Sequence, residues 1–149
     1  MEIICFHNPD EENGYLSNWY KSKFIVDHVK FSSMEQFMMY QKAITFQDQT
    51  IAKEILQTRD SAKIKQMGRQ VRNYNDHIWN GIRQIVVYEG LIAKFSQNEE
   101  LKRLLIHGTL HLNGMDHGEE HVGEGLEIKS PMLKKQEEVL KTFSDVELI

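Results

Sequence analysis

The fold of this chain is decided by the stretch Phe31-Ser-Ser-Met-Glu-Gln-Phe-Met-Met-Tyr-Gln-Lys-Ala43. It predicts a helix entered from a strand, with Ser32 as the N-cap and Glu35 closing a capping box three residues later. Apolar side chains recur at the helical period, which gives the helix one face for burial. The residues of that face are Met34, Phe37, Met38 and Gln41.

A second stripe of the same helix carries charge. Glu35 and Lys42 lie at positions i and i+7 with Met39 between them, about 10 Å apart along the axis at a rise of ~1.5 Å per residue. This spacing is too long for a tight ion pair but suits two groups that grip one ligand from opposite sides. Alternatively, Glu35 is only a capping residue and Lys42 only a solvated charge at the helix end.

Length and composition are those of a soluble globular domain. The chain has 149 residues, of which 40% are apolar and 27% charged, so it is long enough to bury a core. Its single cysteine, Cys5, cannot form an internal disulfide, and no signal peptide or membrane span is recognisable. We therefore expect a cytoplasmic protein without a membrane partner. The net charge of -4 argues against a broad polyanion-binding surface but leaves room for a local basic patch.

Strand-like runs are few and short. Residues 3–6 predict a first strand, and two runs on either side of Asp27-His28 predict a hairpin over residues 24–31. Because the helical patterns are longer and more numerous, the sequence predicts a mostly helical α+β domain with a small N-terminal sheet.

Helical patterns follow the opening helix. They cover about residues 51–56 and 60–66, then a long segment that starts at Asp76, and another segment capped by Asn98. The long segment is marked by Ile78, Ile82, Ile85, Val86, Ile92 and Phe95. Trp79 and Arg83 share another side of this helix.

Several separated motifs carry a resemblance to a known family. They are Tyr15-Leu-Ser-Asn-Trp-Tyr20, Phe24-Ile-Val-Asp-His-Val-Lys-Phe31, Ser33-Met-Glu-Gln-Phe-Met-Met-Tyr-Gln-Lys-Ala43, Lys65-Gln-Met-Gly-Arg-Gln-Val71, Trp79-Asn-Gly-Ile-Arg83 and Ala93-Lys-Phe-Ser-Gln-Asn98. These motifs resemble those of the NADAR family, the YbiA-like proteins. The resemblance covers roughly residues 1–105. It implies an N-glycosidase that needs no cofactor. The implied ligand is a phosphorylated ribosyl or ADP-ribosyl small molecule, either a riboflavin-pathway intermediate or ADP-ribosylated guanine.

The resemblance also implies roles for individual residues. Glycosidic cleavage passes through an oxocarbenium-like state that a carboxylate stabilises, and Glu35 fits this role. Lys42 would hold a phosphate, or attack the opened sugar aldehyde as an imine if burial lowers its pKa. The residues expected to contact the substrate are Asn18, Trp19, Met39, Trp79 and Arg83. Taken without the resemblance, Asn18 is also a turn former and Trp79 a core aromatic.

The NADAR pattern stops near Leu105. The family's later D-x-x-W-G-I-G-L segment is missing, so we expect weak or lost activity, or an inactive nucleotide-binding module. The chain continues instead with His107-Gly-Thr-Leu-His-Leu-Asn-Gly-Met-Asp-His117 and Ser130-Pro-Met-Leu-Lys-Lys-Gln-Glu-Glu-Val-Leu140. These segments resemble the zinc motif and the closing helix of YbeY-type endoribonucleases. Residues 106–149 are not expected to form an independent domain.

The histidine motif has the spacing of a metal site. His107 and His111 lie one helical turn apart, and a turn at Gly114 lets His117 return as a third ligand. Three histidines leave a fourth position for water, as in catalytic zinc sites. Gly108 stands where metzincins have their catalytic glutamate. The resemblance to YbeY-type proteins implies a zinc-dependent endoribonuclease acting on ribosomal RNA as an alternative function, and RNA is a partner only under that interpretation.

Overall fold

The computed structural model describes residues 7–123 and 127–144. The chain falls into two compact units, Met1–Gln97 and Asn98–Ile149. Its described part is mostly helical with one small antiparallel sheet, which confirms the predicted α+β class. The strand predicted at residues 3–6, with Cys5, lies outside the described residues. The domain boundary placed at residue 105 stays a prediction.

Among the described residues, the first unit contains a short 3-10 helix, a hairpin and four α-helices. In chain order these are the 3-10 helix Gly14–Leu16, β1 Phe24–Val26, β2 Val29–Phe31, α1 Met34–Thr45, α2 Gln49–Gln57, α3 Ser61–Arg69 and α4 Asp76–Ser96. The second unit contains α5 Glu99–Leu112 and α6 Pro131–Ser144. None of these described helices combines the length and apolar character that a membrane crossing requires.

The hairpin turns at Asp27-His28 as the sequence predicts. These two residues have φ angles of 48° and 64°, the left-handed conformation that a two-residue hairpin turn requires. The outer edge of β1 is covered by Gln97. The side-chain amide of Gln97 donates to the Ile25 carbonyl and accepts from the Ile25 N–H, both at 2.8 Å. This edge position is therefore not open to pairing with another strand.

The N-cap of α1 lies one residue later than predicted. Ser33, rather than Ser32, accepts a hydrogen bond from the Gln36 N–H, at 3.2 Å. The side chain that reaches back belongs to Gln36: its Oε1 accepts from the N–H and the hydroxyl of Ser32, at 2.7 and 3.0 Å. An amide suits this position because it can donate as well as accept, which a carboxylate cannot do. The prediction that Glu35 closes the capping box is wrong.

The core of the first unit is built around Phe37. Its ring centroid lies 5.9 Å from that of Phe24 and 5.1 Å from that of Phe31, which are paired across the hairpin. Met34 and Phe37 are fully buried, so the prediction that they face the core is confirmed. Gly90 lets α4 approach them closely, since a Cβ there would lie 2.5 Å from Phe37 Cδ1 and 2.8 Å from Met34 Cε.

The side of α4 that is buried is not its isoleucine-rich side. Trp79 and Val86 lie in the core, whereas Ile78 and Ile85 are 51% and 68% exposed. The close approach of α4 to α1 at Gly90 explains which side of α4 is buried. A helix packs most closely on the side that carries its small residues. Ile78 and Ile85 lie on other sides of α4, while Ile82 packs against the core.

A buried carboxylate joins α2 to the segment after α3. Asp48 caps α2 by accepting from the Ile51 N–H, and it also accepts three hydrogen bonds from Arg72, one from the backbone and two from the guanidinium. The hydrogen bonds from Arg72 hold the pKa of the Asp48 carboxyl well below its usual range. A buried charge is tolerated here because it is paired and fully hydrogen-bonded.

We expect opposite effects from Gly90→Ala and Gly81→Ala, two substitutions within α4. A methyl group at Gly90 would overlap Phe37 and Met34, and should lower the free energy of unfolding by about 1–3 kcal/mol. At Gly81 an added Cβ meets nothing within 4 Å. Alanine there should raise the free energy of unfolding by roughly 0.5–1 kcal/mol, because its helix propensity is higher than that of glycine. Urea denaturation of both variants measures the difference. A shift of the same sign in both would contradict the packing of α4 on α1 at Gly90.

Candidate active site and metal centre

A cleft of about 440 Å³ adjoins the first turn of α1. Its lining comes from the segment before β1, from α1 and from α3, and comprises His7, Leu16, Ser17, Asn18, Trp19, Glu35 and Lys65. We call it the Glu35 cleft. Three of the residues selected from the sequence, Asn18, Trp19 and Glu35, therefore lie together. The volume is that of a small-molecule site.

Glu35 is the acidic residue of this cleft, and its residue exposure is 6%. Burial raises the pKa of its carboxyl, while the charge of Lys65, a hydrogen bond from the Trp19 side chain and the charge of Arg69 lower it. The Glu35 backbone N–H donates to the Asn18 carbonyl at 2.9 Å. This main-chain hydrogen bond ties the first turn of α1 to the loop that carries Trp19 and so helps to position Glu35 in the cleft.

Lys94 fixes the loop that precedes β1, and the sequence analysis assigned it no role. The side chain is completely buried, and its ammonium donates to the Tyr15 carbonyl and to the Ser17 carbonyl, the latter at 3.2 Å. Burial lowers the pKa of Lys94 to about 8. The feature of the sequence that could have indicated this role is the position of Lys94 within the family motif Ala93-Lys-Phe-Ser-Gln-Asn98.

Lys65 supplies positive charge to the Glu35 cleft and was also missed. Its Nζ lies 5.6 Å from the centroid of the Trp19 ring. Arg69 follows one helical turn later on the same face of α3. Among the described residues, neither cation forms an ion pair with a carboxylate. The available signal was the spacing of the lysine and the arginine in Lys65-Gln-Met-Gly-Arg-Gln-Val71.

Lys42 and Met39 are not among the described residues that line this cleft. The Lys42 ammonium donates to the Gly68 carbonyl at 2.7 Å and lies 4.1 Å from the centroid of the Tyr74 ring. Burial lowers the pKa of Lys42. Met39 packs against α3, where a Cβ at Gly68 would lie 2.0 Å from its Sδ. Both side chains thus contact the C-terminal part of α3 or the segment after it.

Trp79 and Arg83 are likewise absent from the described lining of the Glu35 cleft. Trp79 is buried within the core of the first unit. This burial agrees with the alternative that Trp79 is a core aromatic residue. Arg83 is exposed on α4. Their contacts with a substrate stay predictions.

Three histidines of the second unit lie around one point. His107 and His111, on α5, have their Nε2 atoms 3.1 Å apart. The chain turns after Gly114, whose φ of 79° favours glycine, and His117 follows. One ligand atom from each histidine lies within 4.8 Å of the others. Zn–N bonds of ~2.0–2.1 Å place the nitrogens of a tetrahedral site about 3.3 Å apart, so small side-chain movements would allow one ion to be bound.

The surroundings of the histidines fit a metal as well. His107 Nδ1 lies 2.8 Å from Oε1 of Gln136, which is 2% exposed. The Gln136 amide donates to Glu137 at 3.1 Å, so its oxygen faces His107 and Nδ1 carries the proton. This leaves Nε2 of His107 for a ligand. His117 Nδ1 is buried and has no hydrogen-bond partner among the described residues, which is consistent with a nitrogen that binds an ion.

Comparison with known proteins reveals two family matches. The NADAR domain model matches residues 5–112, and the model of Endoribonuclease YbeY matches residues 86–144. N-glycosidase R617 of Acanthamoeba polyphaga mimivirus is 36% identical, over 72% of this chain and 69% of that protein. Riboflavin biosynthesis protein VVA0006 of Vibrio vulnificus is 30% identical, over 82% of this chain and 33% of that protein.

The fold has a known counterpart. The NMR structure of the E. coli protein YbiA superposes with a TM-score of 0.60 at 23% identity, over 95% of this chain and 82% of that one. The match to the YbeY model is partial and overlaps the NADAR match between residues 86 and 112. Since the NADAR model matches well over half of the sequence and the motifs around Glu35 agree with it, the chain belongs to the NADAR family.

Proposed function

We propose that the first unit is an N-glycosidase that hydrolyses the bond between a ribosyl group and a nitrogen of a phosphorylated small molecule. The observation that carries the proposal is the buried Glu35 carboxylate in a cleft of small-molecule size, with Lys65 and Arg69 beside it. The names of the relatives support glycosidase chemistry and a riboflavin-pathway substrate. ADP-ribosylated guanine is the other substrate class that the family resemblance implies.

In this mechanism Glu35 acts on the sugar. Breaking the C–N bond leaves positive charge on the anomeric carbon and the ring oxygen, which the carboxylate stabilises. Water adds to the anomeric carbon and loses a proton, while the departing nitrogen gains one. The carboxylate must be ionised, and the charges of Lys65 and Arg69 favour that form against the effect of burial.

We assign the substrate phosphate to Lys65 and Arg69. Both are exposed on one face of α3, and both influence the Glu35 carboxyl electrostatically. The sequence-based proposal gave this role to Lys42. The Lys42 ammonium already donates to the Gly68 carbonyl, so phosphate binding or imine formation there would compete with that hydrogen bond.

A binding module without turnover is the alternative for this unit. The D-x-x-W-G-I-G-L segment of the family is missing from the sequence, and catalysis can depend on it while ligand binding does not. Binding of a ribosylamine phosphate without release of the free base would support this alternative.

We also propose that the second unit binds zinc through His107, His111 and His117. The carrying observation is the approach of their nitrogens, together with the hydrogen bond that Gln136 makes to His107. Zinc would supply a Lewis acid and lower the pKa of a bound water. Endoribonuclease activity is the function that the partial YbeY match suggests. Gly108 offers no side chain for acid–base work at the metzincin position.

Replacing Glu35 by Gln should reduce release of the free base from a riboflavin-pathway ribosylamine phosphate at least about 100-fold. Ligand affinity should change by less than about threefold, because the transition state needs the carboxylate more than the ground state does. Product release and calorimetric titration measure the two quantities. Glu54→Gln, at an exposed glutamate of α2, is the matched control. Cleavage at the wild-type rate by Glu35→Gln would exclude this role.

The same substitution has a consequence for stability. Because the folded pKa of Glu35 is raised, its stabilising contribution is present at acidic pH and lost as pH rises through that pKa. The stability of Glu35→Gln relative to wild type should therefore increase between acidic and neutral pH, because the neutral amide does not titrate. Thermal melts across this range test the sign.

Lys65→Ala should weaken binding of the phosphorylated substrate roughly tenfold. The same variant should bind the unphosphorylated analogue almost as tightly as wild type does. It should also move the acid limb of the pH–rate profile to higher pH, because a positive charge that lowers the Glu35 pKa is lost. Lys42→Ala, a substitution of equal charge, should do neither. If Lys42→Ala weakens phosphate-dependent binding more, or removes a borohydride-trappable adduct, the role belongs to Lys42.

His111→Ala should abolish stoichiometric zinc uptake at neutral pH, whereas His77→Ala, at an exposed helical histidine of the first unit, should not. Gln136→Leu should lower zinc affinity roughly 10–100-fold, because His107 loses the acceptor that fixes its protonated nitrogen. Elemental analysis and competition with a chromogenic chelator provide the measurements. A wild-type protein that takes up no zinc would refute the proposal.

A further inference from the structure

A second cleft of the first unit, of about 870 Å³, lies along the hairpin and the end of α2. Four cations line it: Lys21, Lys23, Lys30 and Arg59. No aspartate or glutamate is among its described lining residues. We call it the hairpin groove. All of the charged residues in the described lining are positive, although the chain has a net charge of -4. A local positive charge of this kind favours an anionic ligand.

Ser22 lies in the same lining and provides an independent observation. The residue is 5% exposed, and its Oγ has no hydrogen-bond partner among the described residues. The Ser22 backbone is held in place, since its N–H donates to the Ser32 carbonyl at 3.0 Å. A buried hydroxyl without a partner is unfavourable, so a ligand that reached the Ser22 hydroxyl after a small side-chain movement would gain a hydrogen bond.

The basic wall of the groove is partly preorganised. The Lys21 ammonium donates to the Arg59 carbonyl and, at 3.3 Å, to the Ser61 hydroxyl, which joins the segment before β1 to the connection between α2 and α3. Among the described residues, Lys30 and Arg59 form no ion pair with a carboxylate. The Asp60 carboxylate accepts from the Ala62 and Lys63 N–H groups at the start of α3.

The groove also has an apolar part, which limits the size and class of the ligand. Ile25 and Leu56 line it and are 45% and 36% exposed. Phe24 and Phe31 line it as well but are almost completely buried, so they offer no open ring for the base stacking that binds single-stranded nucleic acid. A small molecule that combines a phosphate with a compact apolar group fits these surroundings better than RNA does.

We propose that the hairpin groove binds a small phosphorylated organic molecule. The phosphate is held by Lys30 and Arg59 with the Ser22 hydroxyl, and the apolar part lies on Ile25 and Leu56. The described linings of the hairpin groove and the Glu35 cleft share no residue. The groove is therefore a second ligand site, whose existence does not depend on the glycosidase activity.

Phenyl phosphate is a suitable probe, titrated into the full-length protein and followed by NMR. The backbone amides of Ile25, Lys30 and Leu56 should shift saturably, while the Trp19 indole N–H reports separately on the Glu35 cleft. Inorganic phosphate should shift the same groove amides with weaker affinity. Shifts confined to Trp19 would overturn the proposal.

Three substitutions test the contacts. Lys30→Ala and Arg59→Ala should each weaken phenyl phosphate binding roughly tenfold, and Lys53→Ala, at an exposed lysine of α2 outside the groove, should leave it unchanged. Equal affinity in all three variants would refute the proposal. Tighter binding of a single-stranded RNA dodecamer than of phenyl phosphate at the same amides would replace it with a nucleic-acid surface.

Ser22→Ala separates a ligand role from a structural one. Removing a buried hydroxyl that has no partner should raise the melting temperature of the free protein, and it should lower phenyl phosphate affinity several-fold if the hydroxyl contacts the ligand. A raised melting temperature with unchanged affinity would exclude Ser22 from the site.

Discussion

The side-chain amide of Gln36 is the interaction on which the arrangement of the first unit depends. It is 3% exposed and uses its full hydrogen-bonding capacity. Its oxygen accepts twice from Ser32, and its nitrogen donates to the carbonyls of Ile55 and Thr58, at 3.0 and 2.8 Å. The end of the hairpin, the first turn of α1 and the end of α2 are thereby joined. Loss of any of these partners would leave a buried polar group unsatisfied, which costs about 1–3 kcal/mol.

The position of Glu35 follows from the same constraint. Because Gln36 takes the capping role, the carboxylate of the preceding residue, rotated by about 100° around the helix, is available to the cleft. There it meets Trp19 and the charges from α3, while Lys94 holds the carbonyls of the loop that carries Trp19. Fixed donors and charges around a group that acts on a developing cation are an efficient way to stabilise a transition state.

Within the second unit, the described polar contacts lead from α6 to the histidines. In the second unit Arg103 pairs with Glu137, Glu137 accepts from Gln136, and Gln136 accepts from His107. This chain of contacts fixes one histidine through α6. The proposed zinc site is thus built from α5, the following turn and α6, all within residues 98–144. Each proposed chemistry can therefore be examined through its own set of variants.

The sequence by itself determined the class of the fold, the hairpin with its turn at Asp27-His28, and the burial of Met34 and Phe37. These features follow from local periodicity and turn chemistry, which are encoded within a few residues. It also indicated the three histidines, because His107 and His111 lie one helical turn apart and Gly114 allows the chain to turn back. Glu35 was indicated by its stripe with Lys42 together with the family motifs.

The tertiary structure decided which groups share a cleft with Glu35. Lys42 lies on the same helix as Glu35, yet its ammonium binds a carbonyl of α3, while Lys65, thirty residues further along the chain, lines the cleft. The N-cap is Ser33 instead of the predicted Ser32, and Gln36 hydrogen-bonds to the end of α2. The Gly90 side of α4 faces the core because glycine leaves room for Phe37. These outcomes depend on contacts between distant segments. Periodicity cannot specify such contacts, because it records only which side of a helix is apolar and not what the helix packs against.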